Sequence, residues 1–219
     1  MSATGQTVGA LLNEQDWTGK IFSDGCVDAP DTIEEAGLPE GVLHVLGGNS
    51  PLIVLDHADI VAASSAGAWG SFLHQGQICI SVSRHLVHES IAEQYLDALT
   101  ERAGHLTVGN PATTEVALGP IINEKQVQRV QRIVDDTVGA GASTTIGGNA
   151  DGLFYPATVL RDVRPGMAAF DEEIFGPVAP VTTFRSDEEA LELANGVEHG
   201  LAAAVQSGSQ TRAADFAEG

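Results

Sequence analysis

Residues 72–84 of the 219-residue chain read FLHQGQICISVSR, and the sequence on both sides is organised around this stretch. A helix-like run ends here, Gly76 allows the backbone to bend sharply, and Cys79 stands at the turn before a strand-like run. The glycine also leaves space beside the thiol, as a nucleophile requires. The alternative is that Cys79 is a small buried hydrophobic residue, which is the usual environment of a free cysteine.

Short apolar runs and amphipathic stretches alternate on both sides of this turn. Residues 52–55, LIVL, are apolar throughout, which is typical of a strand buried on both faces of a parallel sheet. The pattern predicts a helix from Asp59 to about Gln75, with Trp69 on its apolar stripe, and a further strand over residues 84–88.

Several later elements carry their own start signals. Predicted helix starts are a capping box of Ser90 with Glu93 and two further caps, at Asn123 and Ser186. Val138 is predicted to face the core, and residues 178–184 are predicted to form a strand. Strands that alternate with amphipathic helices indicate an α/β fold with a largely parallel sheet flanked by helices.

Charge and composition exclude several kinds of partner. Thirty acidic residues against ten basic ones give a net charge of −20, which repels nucleic acid and anionic membranes. Acid spread along the whole chain predicts a halophilic protein whose stability rises with KCl, the alternative being an acidic mesophilic protein. No secretory leader or membrane-spanning run is evident, which predicts a cytoplasmic location. Cys26 and Cys79 are too few for a disulfide framework or a metal cluster.

A second segment carries chemistry. Residues 172–178, EEIFGPV, place two acids and an aromatic ring before a Gly-Pro turn that enters a strand. Alone, this run is most simply a solvated acidic loop with a buried Phe. Together and in this order, the cysteine turn and the acidic run resemble the aldehyde dehydrogenase superfamily. Residues 46–56, LGGNSPLIVLD, and 155–159, YPATV, also match that family's pattern.

The resemblance runs from about Leu46 to Gly219, and the wording around residues 70–91 is similar to the branch that acts on benzaldehyde and other aromatic aldehydes. It implies that Cys79 is the nucleophile, whose thiolate attacks the aldehyde carbon and whose backbone N–H donates to the oxyanion. It implies NAD or NADP as hydride acceptor. Glu173 then holds hydroxyls of the nicotinamide ribose, and the ring of Phe175 lies beside that ribose.

The sequence also departs from the family pattern. Val45 occupies the position of the glutamate that activates the hydrolytic water. The phosphate-binding Gly-rich turn, the asparagine of the oxyanion hole and the strand that pairs subunits have no counterpart. We therefore expect residues 1–45 to be remnants of the coenzyme-binding domain, with joins near 31–32 and 45–46. Residues 46–219 are expected to be a catalytic domain that lacks its C-terminal end.

These departures predict weak turnover. Loss of one oxyanion donor typically costs ~10²–10³ in rate, and loss of a general base a further ~10²–10⁴. Part of residues 52–79 is expected to be more exposed than in the family. A second hypothesis is a catalytically silent remnant that acts as a binding module. A third is a cysteine hydrolase that uses one of the seven histidines as its base, although none is spaced to meet Cys79 and His74 is expected on the helix surface.

Overall fold

A computed structural model describes residues 48–218 as a six-stranded sheet with helices on both faces. The strands are β1 Ser50–Val54, β2 Val82–His88, β3 Ser143–Ile146, β4 Thr158–Arg161, β5 Val178–Phe184 and β6 Ala204–Gln206. The sheet order is β3-β4-β5-β2-β1-β6, and every neighbouring pair is parallel except β3 with β4. The predicted α/β fold with a largely parallel sheet is confirmed.

The helices follow the predicted alternation. Asn123 and Ser186 cap their helices as expected, because each side chain accepts the N–H three residues on. None of the described helices combines the length and the apolar character needed to cross a membrane. The helices are α1 Ile60–Phe72, α2 Ala92–Gly104, α3 Glu124–Gly139, α4 Ala168–Asp171, α5 Asp187–Asn195 and α6 Gln210–Glu218, with 3₁₀ turns at Leu73–Gly76 and Glu89–Ile91.

The central strands are buried on both faces, as the apolar run at residues 52–55 predicts. Leu52 and Val54 pack into the core under α2, whereas Ile53 packs into the core on the opposite face under α3. Successive side chains of a strand point to opposite faces of the sheet. A strand that is covered on both faces is therefore typically a nearly continuous apolar run.

Helix α1 differs from the prediction in its end and in its buried face. It ends at Phe72, because the next turn is 3₁₀ and His74 and Gln75 adopt φ of 50° and 59°. Trp69 is 68% exposed, and the buried face carries small residues such as Ser64 and Gly67. Small side chains let α1 lie close to α2 and β2. The face of α1 that carries these small residues is therefore the buried one, and the face that carries Trp69 is exposed.

Two further local predictions are wrong. Ser90 does not cap α2; it lies in a 3₁₀ turn and its N–H donates to Nδ1 of His88. Helix α2 begins at Ala92 without a side-chain cap. Val138, predicted to face the core, is 39% exposed and stands one residue before the end of α3 at Gly139.

Some predictions concern residues outside the described part of the chain. These are the coenzyme-domain assignment of residues 1–45, the two joins, Cys26, and the replacement of the expected glutamate by Val45.

Candidate active site

Both chemistry-bearing segments lie at one edge of the sheet. Cys79 comes shortly before β2 and Glu173 shortly before β5, while Gly48 precedes β1 and Gly200 precedes β6. These four strands are neighbours in the order β5-β2-β1-β6 and are mutually parallel, so their amino ends share one edge. Ligands of open α/β sheets usually bind at the carboxyl ends of the strands. This candidate site lies at the opposite edge.

Gly48 is the point where the segments meet. Its N–H donates to Oε1 of Glu173 at 3.0 Å, and its backbone forms an isolated parallel bridge with Gly200. A Cβ on Gly48 would lie 2.1 Å from the carbonyl oxygen of Cys79, so only glycine permits this approach. The sequence indicates Gly48 only as part of the LGGNSP segment that matches the family pattern. Its contact with the Cys79 carbonyl is made by the backbone and leaves no separate signal in the sequence.

The Cys79 loop, residues 73–81, connects α1 to β2. Cys79 is a free, half-buried thiol in a turn that the Ser81 N–H closes on the Ile78 carbonyl at 3.0 Å. The Gln77 side chain fastens the loop by accepting the Ile122 N–H at 3.0 Å. His74 is exposed as expected, and no histidine within residues 48–218 hydrogen-bonds to Cys79, which weighs against the hydrolase hypothesis.

Gly76 bends the chain as predicted, with φ of +67°. The sequence also predicted that Gly76 leaves open space beside the Cys79 thiol. That part of the prediction is wrong, because backbone atoms occupy the place of the missing side chain. A Cβ on Gly76 would lie 2.2 Å from the carbonyl oxygen of Gly176 and 2.9 Å from that of Ser71. The glycine therefore lets the Cys79 loop pack directly against the turn that follows Phe175.

The acidic segment, residues 172–177, is held by side chains of α3. The Gln126 amide donates to the Phe175 carbonyl at 2.9 Å, and Nη2 of Arg129 donates to the Glu173 carbonyl at 2.7 Å. Phe175 adopts φ of 52° and is half-buried. Gln126 and Arg129 were not predicted as site residues. Their spacing of three places both side chains on one side of a helix, which is the signal that could have paired them.

The two neighbouring glutamates have opposite electrostatic environments. Arg132 donates to Glu172 at 2.7 Å, and this hydrogen bond lowers the pKa of the Glu172 carboxyl. Burial raises the pKa of the Glu173 carboxyl, while the Gly48 N–H and the charges of His199 and Arg129 oppose that rise. The second carboxylate oxygen of Glu173 has no hydrogen-bond partner among the described residues.

Arg84 anchors the backbone beside Gly48. The side chain is 1% exposed, and its guanidinium donates to the carbonyls of Asn49 at 2.9 Å, Leu193 at 2.7 Å and Ala194 at 2.9 Å. The charge also lies 5.3 Å above the Phe170 ring. Burial lowers the pKa of Arg84 to about 10, so the side chain remains charged at neutral pH. Arg84 thereby joins the start of β1 to the end of α5.

A groove of about 420 Å³ runs beside α1 and the end of α2. Its walls are mainly apolar, and Trp69, Leu73 and Arg102 contribute to them. Cys79, Glu173 and Phe175 do not line it. Within residues 48–218, no set of three or more His, Cys, Asp or Glu side chains is arranged to hold a metal ion.

Comparison with known proteins agrees with this architecture. A sequence profile described as the aldehyde dehydrogenase family matches residues 2–219. The chain belongs to the aldehyde dehydrogenase family. It is 49% identical over 203 residues to a vanillin dehydrogenase of an Amycolatopsis species, covering 92% of this chain and 42% of that protein. It is 51% identical over 173 residues to an NAD(+) benzaldehyde dehydrogenase of Pseudomonas putida, covering 79% and 36%.

Solved structures of aldehyde dehydrogenases have the same fold. Lactaldehyde dehydrogenase from Escherichia coli superposes with a TM-score of 0.78 at 34% identity, covering 88% of this chain and 42% of that one. Succinate-semialdehyde dehydrogenase from Burkholderia pseudomallei also gives a TM-score of 0.78, at 37% identity, covering 87% and 41%. The chain therefore spans less than half the length of these family members.

Proposed function

We propose that this chain carries the catalytic part of an aldehyde dehydrogenase that oxidises an aromatic aldehyde to its carboxylic acid with NAD or NADP. Cys79 is the nucleophile, and Glu173 and Phe175 hold the nicotinamide ribose. The observation that carries the proposal is the convergence on Gly48, whose N–H binds Glu173 and whose α-carbon lies against the Cys79 carbonyl. The aromatic branch is supported by identity to relatives named for vanillin and benzaldehyde.

The residues present suit the ribose end of a nicotinamide coenzyme. Glu173 uses one carboxylate oxygen for the Gly48 N–H and keeps the other without a partner among the described residues, ready to accept ribose hydroxyls. The Gly48 bond and the charges of Arg129 and His199 support the ionised form of Glu173 against the effect of burial. Phe175 is half-buried at φ of 52°, and the Gln126 amide fixes its backbone two residues after Glu173.

The chemistry assigned to Cys79 follows from its surroundings and from the family. Its thiolate adds to the aldehyde carbon and forms a thiohemiacetal, since a soft, polarisable sulfur adds readily to carbonyls. The Cys79 N–H makes no hydrogen bond to the described residues and is available to the oxyanion. When bound, the coenzyme supplies the hydride acceptor that turns this adduct into a thioester. Water then cleaves the thioester and releases the acid.

Alkylation of the two cysteines tests this proposal. The whole chain is treated with iodoacetamide over a range of pH, with and without benzaldehyde, and labelling of Cys79 and Cys26 is followed by mass spectrometry. We expect Cys79 to react faster than Cys26, and benzaldehyde to slow the labelling of Cys79 alone. Equal reactivity of the two thiols, or no protection by benzaldehyde, would contradict the assignment of Cys79.

A turnover assay supplies the second readout. NADH formation from benzaldehyde at saturating NAD+ is expected to stay near background, because the sequence lacks the family's general base and oxyanion asparagine. The matched variants are Cys79→Ser, which removes the thiol assigned to catalysis, and Cys26→Ser, which retains it. Turnover well above background that disappears only in Cys79→Ser would confirm the nucleophile and disprove the expected loss of activity.

A further inference from the structure

A buried polar network lies directly beneath the Cys79 loop and takes no part in the chemistry proposed above. It consists of Ser71 at the end of α1, His85 on β2 and Tyr95 on α2. Ser71 is 1% exposed, and His85 and Tyr95 are 0% exposed. Buried polar groups of this kind are costly unless every donor and acceptor has a partner.

The Ser71 hydroxyl closes the base of the Cys79 loop. It donates to the Val82 carbonyl at 2.7 Å and lies 2.7 Å from Nε2 of His85. Ser71 belongs to the last turn before the loop, whereas Val82 and His85 belong to the strand after it. The Ser71 side chain therefore fixes the distance between the two stems of the Cys79 loop, which are the end of α1 and the start of β2. The Ser71 carbonyl also lies against Gly76 within that loop.

The number of protons available in the network fixes the donor and the acceptor of each hydrogen bond. The Ser71 hydroxyl has one proton, which goes to Val82, so its oxygen must accept from His85 Nε2–H. Nδ1 of His85 is then the acceptor for the Tyr95 hydroxyl, 2.7 Å away. This requires neutral His85 with its proton on Nε2. Burial favours the neutral form by lowering the pKa of His85 to about 3.

Helix α1 is shaped to admit this network. A Cβ on Gly67 would lie 2.2 Å from the Tyr95 hydroxyl oxygen and 3.0 Å from Cε1 of His85. The small residues on the buried face of α1 are thus explained by the polar groups beneath them. Glycine at position 67 therefore lets α1 lie directly against Tyr95 and His85.

We infer that Ser71, His85 and Tyr95 are positioning residues that hold the Cys79 loop in its reactive conformation. The inference rests on the proposed role of Cys79 as nucleophile. The three residues act by fixing the stems of the loop, and none of them needs to touch the substrate.

The test compares Ser71→Ala with Ser64→Ala. Ser64 is a matched control because it is fully buried on the same helix and hydrogen-bonded, but to Val61 and Arg102 rather than to the loop stems. Amide hydrogen exchange is measured at Gln77 and Ser81, whose N–H groups bond within the loop. Ser71→Ala is expected to raise the exchange rate of both amides about tenfold, which corresponds to the loss of one buried hydrogen bond. The exchange rates of amides in α3 should not rise by the same factor. Ser64→Ala should leave both loop amides unchanged.

Two outcomes at this stage would overturn the inference. One is equal acceleration of the loop amides in the two variants, which would indicate general destabilisation. The other is a ¹⁵N spectrum of His85 that shows the Nδ1–H tautomer. If Ser71→Ala does not fold, Tyr95→Phe replaces it, since this variant removes only the hydrogen bond to Nδ1 of His85. Tyr95→Phe is expected to speed exchange of the loop amides by a smaller factor than Ser71→Ala. Unchanged exchange at the loop amides would overturn the inference.

A chemical readout separates this inference from the proposed function. The benzaldehyde concentration that half-protects Cys79 from iodoacetamide should rise about tenfold in Ser71→Ala and stay constant in Ser64→Ala. If wild-type Cys79 is not protected at all, the proposed function fails while the exchange data still decide whether the network holds the loop. If wild-type Cys79 is protected and Ser71→Ala is protected equally, the positioning role is disproved.

Discussion

The Cys79 loop and the acidic segment lie side by side, yet they are held by different means. The loop is positioned by backbone approaches at Gly48 and Gly76 and by the hydroxyl of Ser71 at its base. The acidic segment is positioned by long polar side chains of α3, above all Gln126 and Arg129. The loop therefore needs two positions without a side chain as well as one short hydroxyl at its base, whereas the acidic segment is held by long polar side chains of a neighbouring helix.

Adding a methyl group at a glycine of the loop that has no room for one should reduce stability the most. Gly76→Ala combines a positive φ with a Cβ 2.2 Å from the Gly176 carbonyl oxygen. We expect a loss of about 3 kcal/mol or more in the free energy of unfolding, since left-handed strain costs about 1–2 kcal/mol and overpacking adds about 1–3 kcal/mol. Urea denaturation measures the loss.

A second glycine separates the two contributions. Gly152 has φ of +60° and open space around its α-carbon, so Gly152→Ala carries the backbone strain without the clash. It should lose only about 1 kcal/mol. If both variants lose the same amount, close packing of Gly76 on Gly176 does not hold the loop.

The next effect comes from removing a side chain that holds the acidic segment. Gln126→Met keeps the length of the side chain but leaves the carbonyls of Ile174 and Phe175 without their donor. Unsatisfied buried acceptors cost about 1–3 kcal/mol, and exchange at backbone amides of the segment should rise. Gln94→Met, on the exposed face of α2, is the control and should change stability by less than about 0.5 kcal/mol. Equal losses would mean that Gln126 does not hold the segment.

A smaller effect distinguishes Glu173 by its pH dependence. Because burial raises the pKa of this carboxyl above 4.5, the folded state binds the proton more tightly than the unfolded state. Stability contributed by the protonated form is therefore lost as the pH rises through the raised value. Glu173→Gln removes this dependence, so its stability relative to wild type should improve as the pH rises above 4.5. Thermal unfolding at several pH values measures the slope, and a flat difference would contradict it.

The smallest effect is expected at the neighbouring carboxylate. The pKa of Glu172 is lowered below 4.5 by Arg132, so its stabilising contribution is complete above that value and is lost only as the pH falls through the lowered pKa. Glu172→Gln should therefore be less stable than wild type by under about 1 kcal/mol, with a difference that stays constant above pH 4.5. A slope like that expected for Glu173 would show that the two glutamates do not differ as described.

Much of the fold was predictable from the sequence, because apolar runs and helix caps are local signals. The strand at residues 178–184 and the caps at Asn123 and Ser186 are confirmed. Ser90 misled the prediction because a 3₁₀ turn satisfies its N–H through His88 before α2 begins. Trp69 lies on the exposed side of α1 because the small residues of that helix are needed where Tyr95 and His85 approach it.

The α/β fold, the family and the two segments that carry Cys79 and Glu173 can be predicted from the sequence, since these depend on local pattern and on residue type. The meeting of both segments at Gly48 and the closure of the loop base by Ser71 become visible only in the folded chain. Parallel strands bring to one edge residues that are far apart in the chain. A contact made by an N–H, a carbonyl or a missing Cβ leaves no pattern in the sequence from which it could be predicted.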